Sequence, residues 1–309
     1  MGWNAALRTV ILAVIGNSFM RRLAERYGMK LGANRFVAAE ALEETIAKVR
    51  KLNASGFLVT LDYLGESVKD PELAKEAAAT IGHVIDAIRL ERLNANVSVK
   101  LTQLGLSIDP VLCVELMRQL CRQAKASNNF VRIDMEDSKV TQLTIDVFKQ
   151  LLAEFDTKTV GLVIQSYLYR SDTDVDDLGL LGANLRIVKG AYHESVQVVF
   201  PRKTDVDRNY LKLAKSHLSN GCYTAIATHD RAIIADLKEF ADGMKISKLR
   251  YEFQMLYGVA EQLQQELVEE GYRVRIYTPF GKQWYPYFTR RIAERPANMW
   301  FVLRQLFVK

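Results

Sequence analysis

After two N-terminal helical segments ending near Leu52, the chain settles into one rhythm. Short, apolar, β-prone runs alternate with stretches whose apolar residues recur every three to four positions. The runs Gly56–Leu61, Asn96–Leu101, Phe130–Met135, Thr159–Gln165, Asn184–Lys189, Thr224–Thr228, Leu249–Gln254 and Arg273–Tyr277 predict eight strands. Helical periodicity covers Pro71–Leu93, Pro110–Ala126, Thr141–Phe155, Val206–Leu218 and Gly258–Glu270, and a closing helix is predicted over Trp284–Phe307. Strand–helix alternation implies parallel strands joined by helical crossovers. Eight such units over ~250 residues predict an α/β fold of the closed (β/α)8, TIM-barrel type. The expected division is an N-terminal helical segment, residues 1–52, and a barrel catalytic domain, residues 53–309. A doubly wound open sheet is the competing arrangement. It would be expected to place a glycine-rich phosphate turn after its first strand, where this chain has Asp62-Tyr63-Leu64-Gly65-Glu66.

Composition changes this picture little. The 309 residues are 49% hydrophobic and 25% charged, as in an ordinary globular protein. The net charge of +6 is dispersed. It suits approach to an anionic membrane surface, but no Lys/Arg block points to nucleic acid. Three cysteines, Cys113, Cys121 and Cys222, lack metal-ligand spacing and suggest a reducing compartment. The apolar run Thr9–Ile15 is too short to span a bilayer and reads as an amphipathic helix packed on the body. A cytoplasmic location, with peripheral contact at the inner face of the cell membrane left open, is the expectation.

Barrel enzymes carry their sites at the C-terminal ends of the strands. Here those ends offer Asp62 and Glu66, Lys100, Asp134, Gln165, Arg186 and Lys189, Thr228-His229-Asp230, Gln254 and Tyr277. Charges so near a barrel interior need partners, and an ion pair between Lys100 and Asp134 is the simplest structural expectation. Lys189-Gly190-Ala191 places a cation and two small residues where a backbone could approach a diphosphate. His229-Asp230 and His193-Glu194 match no common zinc spacing, so no metal site is expected. No G-x-S-x-G elbow supports a serine nucleophile. What remains suits an organic cofactor and an anionic substrate.

The closing helix adds a cluster. Tyr287, Arg290, Arg291 and Glu294 stand at i, i+3, i+4 and i+7, and so share one face. Two guanidinium forks side by side can clamp a carboxylate or phosphate. Arg290 and Glu294 would otherwise form only an exposed pair worth about a few tenths of a kcal/mol.

Seven segments then resemble one family: Val99-Lys100-Leu101, Arg132-Ile133-Asp134-Met135-Glu136, Ile164-Gln165-Ser166-Tyr167, Arg186-Ile187-Val188-Lys189-Gly190-Ala191-Tyr192, Ala227-Thr228-His229, Tyr251-Glu252-Phe253-Gln254-Met255-Leu256, and Tyr287-Phe288-Thr289-Arg290-Arg291-Ile292-Ala293-Glu294. Together, and in this order, they resemble the signature segments of the proline dehydrogenases, in the short monofunctional bacterial form. The resemblance implies an FAD-dependent oxidation of L-proline to 1-pyrroline-5-carboxylate, by hydride transfer from C5 to flavin N5, with electrons passed to a quinone. This is the first step of proline degradation to glutamate.

Carried onto matching positions, the resemblance implies Arg186 beside flavin N5, Gln165 and Met135 at the flavin, and Lys189, Gly190 and Ala191 on its diphosphate side. Thr228 and His229 would line the FAD further along. Arg290 and Arg291, aided by Lys100, would clamp the proline carboxylate, with Tyr277 and Tyr287 against the ring and Asp134 in the catalytic polar network. Glu66 matches an acidic gate residue that pairs with an arginine of the last helix. His193 stands where some relatives carry tryptophan. A flavin-free barrel enzyme acting on a phosphorylated small molecule is the alternative, and a non-enzymatic ligand-sensing or membrane-surface protein is a third reading.

Overall fold

A computed structural model describes residues 32–65 and 67–294. The run Thr9–Ile15, Glu66 and the last part of the predicted closing helix lie outside the described residues. All eight predicted strands form, and they close into one barrel in sequence order, with every neighbouring pair parallel. They are β1 (Leu58–Tyr63), β2 (Ala95–Lys100), β3 (Val131–Asp134), β4 (Val160–Gln165), β5 (Leu185–Val188), β6 (Thr224–Ala227), β7 (Tyr251–Leu256) and β8 (Val274–Phe280). Closure of β1 on β8, with Leu58 opposite Arg275 and Tyr63 opposite Phe280, excludes the open sheet.

Helix α1 (Leu42–Ala54) precedes the barrel. Around it run α2 (Pro71–Leu90), α3 (Pro110–Ala126), α4 (Ser138–Glu154), α5 (Ser171–Leu180), α6 (Lys203–Ser219), α7 (Arg231–Gly243) and α8 (Glu261–Glu269), and α9 (Tyr285–Glu294) follows the last strand. Their starts are chemically marked. Asp70 and Asp109 each precede a proline and accept a backbone N–H of the first turn, from Glu72 at 2.8 Å and Leu112 at 3.0 Å. Asp137 and Asp230 cap α4 and α7 in the same way.

The core lies between strands and helices. Every residue of β4 is buried, as expected for a parallel strand covered on both faces. Two strand boundaries differ from the sequence expectation. β7 begins two residues later, because Lys248–Arg250 form a 3-10 turn capped by Ser247. β8 runs through Pro279 to Phe280 instead of breaking there. The proline is tolerated because β7 ends opposite Tyr277, so its missing N–H falls where that neighbour no longer extends.

Candidate active site

The strands deliver charged side chains to a buried cluster at their C-terminal ends. Lys100, at the end of β2, donates to both oxygens of Asp62 on β1 at 2.9 Å each. Asp134, opposite Lys100 in the β2–β3 register, lies 3.7 Å from the same ammonium. The expected Lys100–Asp134 pair is present, but it is one edge of a larger cluster: Asp62 holds the lysine more closely, and Asp134 turns mainly to Arg186. Arg186 reaches from β5 to Asp134 Oδ1 at 2.7 Å, and the Ser98 hydroxyl donates to that same oxygen at 2.7 Å. The Tyr277 hydroxyl donates to Asp134 Oδ2 at 2.7 Å, and its ring lies 5.3 Å from the Arg186 guanidinium carbon.

Two cations therefore face two carboxylates, and the two acids are driven apart. Burial pushes the Asp62 carboxyl up, and Lys100 only partly offsets it. Burial also opposes ionisation of Asp134, but Arg186 and Lys100, together with the bonds from Ser98 and Tyr277, outweigh it and hold that carboxyl below the usual range. Burial alone would lower Lys100, yet Asp62 and Asp134 raise it above its ordinary value, so it stays charged. Burial pushes the Tyr277 phenol well up and keeps it a proton donor.

The cluster is anchored from below. Arg186 Nε donates to Gln254 Oε1 at 2.5 Å, Gln254 donates to Glu252 at 2.6 Å, and Glu252 accepts Arg275 Nε at 2.7 Å. This chain of bonds fixes Arg186 in the barrel axis. Deeper still, Arg132 donates to the carbonyls of Leu162 and Asn184 at 3.0 and 2.6 Å. Gly161 makes room for it, since a Cβ there would lie 2.5 Å from both Arg132 Nη1 and the Asn184 carbonyl.

Among the buried polar atoms at the mouth without a hydrogen-bond partner among the described residues are Gln165 Oε1 and Arg186 Nη2. Gln165 is held through its other side-chain atom, which donates to the Glu136 carbonyl at 2.6 Å. One acceptor and one donor thus stand ready for a polar, planar group, which fits a flavin ring. Met135 is buried at the end of β3.

The β5–β6 side adds local partners that the sequence does not show. Lys189 lies between Asp207 at 2.5 Å and Asp230 at 3.1 Å, so its charge is already answered by carboxylates. Gly190 has φ +111°, and a Cβ there would meet the Tyr167 ring at 2.4 Å. The glycine is thus required by its own fold, and Ala191 beyond it is exposed. The Thr228 hydroxyl accepts the Asp230 N–H at 3.1 Å. His229 Nε2 accepts the Leu256 N–H at 3.0 Å, so the neutral ring carries its proton on Nδ1. Glu194 accepts the backbone N–H and hydroxyl of Ser138, both at 2.6 Å, and ties the loop after β5 to the start of α4.

On the other side, α9 is seated by aromatic packing. Trp284 donates to Glu40 at 2.9 Å and stacks edge-on with Phe288, their centroids 5.7 Å apart. Trp284, Tyr285, Tyr287 and Phe288 share a core with Phe36, Val37 and Leu64, the last just beyond β1. Tyr287 is buried, whereas Arg290 and Arg291 are half-buried, and Arg291 lies 5.4 Å from the Tyr287 ring centre.

Sequence reading missed several members of this assembly. Asp62 was visible at a strand end, but nothing local marked it as the partner of Lys100. Gln254 stood at the end of the seventh predicted strand, whereas Ser98, Glu252 and Arg275 were visible only as polar letters inside apolar strands, a signal that identifies inward positions without pairing them.

Comparison with known proteins agrees with the fold and motifs. Residues 45–304 match the family model for proline dehydrogenase. Proline dehydrogenase 1 of Bacillus subtilis (strain 168) is 43% identical over 303 residues, covering 98% of this chain and 100% of that relative. The proline dehydrogenase of Deinococcus radiodurans is 42% identical over 300 residues, 96% of each chain. The crystal structure of proline utilization A (PutA) from Bdellovibrio bacteriovorus inactivated by N-propargylglycine superposes with a TM-score of 0.82 at 28% identity, over 89% of this chain and 34% of that longer one. With near full-length relatives, a matching family model and the same barrel, the chain belongs to the proline dehydrogenase family of oxidoreductases.

Proposed function

We propose that the chain oxidises L-proline to 1-pyrroline-5-carboxylate with FAD as its cofactor and passes the electrons to a quinone. The reading rests on one observation above others: a charge-balanced, buried quartet, Asp62, Lys100, Asp134 and Arg186, next to two polar atoms without partners among the described residues. When bound, the flavin supplies a two-electron acceptor for the hydride that leaves C5 of proline.

The protein's part is binding, orientation and charge. Gln165 Oε1 would accept a ring N–H, and Arg186 Nη2 would supply the cation that offsets negative charge gained on reduction. Met135 would bear on the ring. The backbone at Gly190 and Ala191, with Lys189 behind it, would meet the diphosphate, and Thr228 and His229 would line the rest. Because the quartet is balanced, the substrate carboxylate needs cations from elsewhere. Arg290 and Arg291 would provide them, with Lys100 at the edge of the quartet assisting and Tyr277 and Tyr287 against the ring. Glu66 would pair with an arginine of α9 to exclude water.

The amine of proline must be neutral before hydride departs, since positive charge then grows on nitrogen. Asp134, held ionised by its cations, is a poor proton acceptor, so the amine proton passes to solvent. The same reading treats residues 1–52 as a helical segment on a catalytic barrel of residues 53–309. It also has the protein act from the cytoplasm, with peripheral contact at the inner membrane face for quinone access. No helix among the described residues is long and apolar enough to cross a membrane.

The test is to load the protein with FAD, record its visible spectrum, and add L-proline without oxygen. Bleaching of the flavin band supports the reading, and an unchanged spectrum overturns it.

A further inference from the structure

The barrel has a second opening at the other end. A cavity of about 720 Å³ lies at the N-terminal ends of the strands, opposite the quartet. Its walls carry five cations, Arg132, Lys158, Arg250, Arg273 and Arg275, and a single carboxylate, Glu252.

That carboxylate is already spent. Glu252 receives Arg275 through Nε at 2.7 Å and Nη2 at 3.1 Å, the Tyr223 hydroxyl at 2.9 Å, and Gln254. Arg273 comes no nearer to it than 3.9 Å. Arg132 is 2% exposed, its bonds run to carbonyl and amide oxygens, and its Nε has no partner among the described residues. Burial, then repulsion from Arg186, disfavours its charge. Glu252 offsets this only in part, because it is bound to Arg275; a buried guanidinium so poorly balanced is costly, and a bound anion lowers that cost. At the rim, Lys158 and Arg250 are exposed, and no ion pair joins either to a described residue. The volume lies within the ~300–1,000 Å³ typical of small-molecule sites.

We propose that this cavity binds a phosphate group, free or carried by a soluble metabolite or a lipid headgroup. The excess of cations suits a dianion better than a single carboxylate, and guanidinium forks match two phosphate oxygens at once. The site is separate from the barrel mouth and does not depend on the flavin reading.

The experiment uses the FAD-loaded protein and three probes: inorganic pyrophosphate and ATP by titration calorimetry, and phosphatidylglycerol vesicles by co-sedimentation. Saturable binding of at least one probe is expected, weakened tenfold or more by Lys158→Glu/Arg250→Glu, with proline-dependent dye reduction unchanged. Arg273→Gln approaches the same cavity from another wall and should weaken the same probe. Binding of pyrophosphate or ATP alone assigns a soluble ligand, whereas binding of vesicles alone assigns a lipid headgroup. If no probe binds, or if binding is equal in the wild type and the charge-reversed protein, the proposal is wrong.

Discussion

Arg186 donates to Asp134 at 2.7 Å across the mouth of the barrel, from β5 to β3, while its other side is held by Gln254. The bond joins strands that are not neighbours, so it braces the barrel as well as charging it. Asp134→Ala leaves Arg186 buried without its acid and removes one of two acids facing Lys100. Breaking a buried ion pair in this way costs on the order of 3–5 kcal/mol. Denaturant unfolding should show that loss, and proline oxidation should fall with it. Tyr277→Phe keeps the ring near Arg186 but deletes one hydrogen bond to Asp134, so its cost should be smaller, about 1–3 kcal/mol. Equal stability of Asp134→Ala and wild type would show that the network carries no such load.

The clamp assigned to α9 makes a kinetic prediction. Arg290→Lys and Arg291→Lys keep the charge but lose the two-point fork. Each should raise KM for proline on the order of tenfold while bound-flavin absorbance stays intact. Wild-type kinetics in both variants would return these arginines to the solvated surface of the helix.

Gly190 offers a backbone test. Alanine there would sit at φ +111° with its Cβ 2.4 Å from the Tyr167 ring. Gly190→Ala should therefore displace the loop after β5 and lower the fraction of protein purified with flavin, read as the ratio of visible to ultraviolet absorbance. An unchanged ratio would separate this loop from cofactor binding.

His217 predicts a pH dependence of stability. It is buried, with Nδ1 2.7 Å from the Thr224 hydroxyl, and burial pulls its pKa down to about 4. The unfolded chain takes up this proton near pH 6.5 while the folded chain refuses it until about pH 4. The contribution is therefore full above pH 6.5 and falls away as the pH drops toward 4, by on the order of 3 kcal/mol in all. Unfolding midpoints at pH 7, 6, 5 and 4 should trace that fall, and His217→Gln should flatten it. A slope equally steep in the variant would assign the loss to other groups.

The architecture was legible because it rests on local rules. A parallel strand buried on both faces reads as a short apolar run, an outer helix reads as a 3.6-residue stripe, and Asp-Pro marks two of the helix starts. Inward polar letters at the strand ends, among them Lys100, Asp134, Gln165, Arg186 and Tyr277, were also visible one strand at a time. The position of Lys189 and Gly190 at a strand end was legible too, but the neighbours they meet there, Asp207 and Asp230 for the lysine and the Tyr167 ring for the glycine, were not.

Which inward residue meets which was a tertiary matter. Asp62 and Lys100 are 38 positions apart, Asp134 and Arg186 are 52 apart, and Arg275 reaches the Val59 carbonyl across 216. Their pairing depends on strand register, on tilt and on the closure of β1 against β8, none of which a run of side chains encodes by itself. The same holds for Gly161, whose missing side chain leaves room for an arginine from the neighbouring strand. Periodicity was sufficient for the barrel because burial acts on each segment separately. The site needed the closed barrel, because electrostatics acts only between groups that closure has brought within a few ångströms.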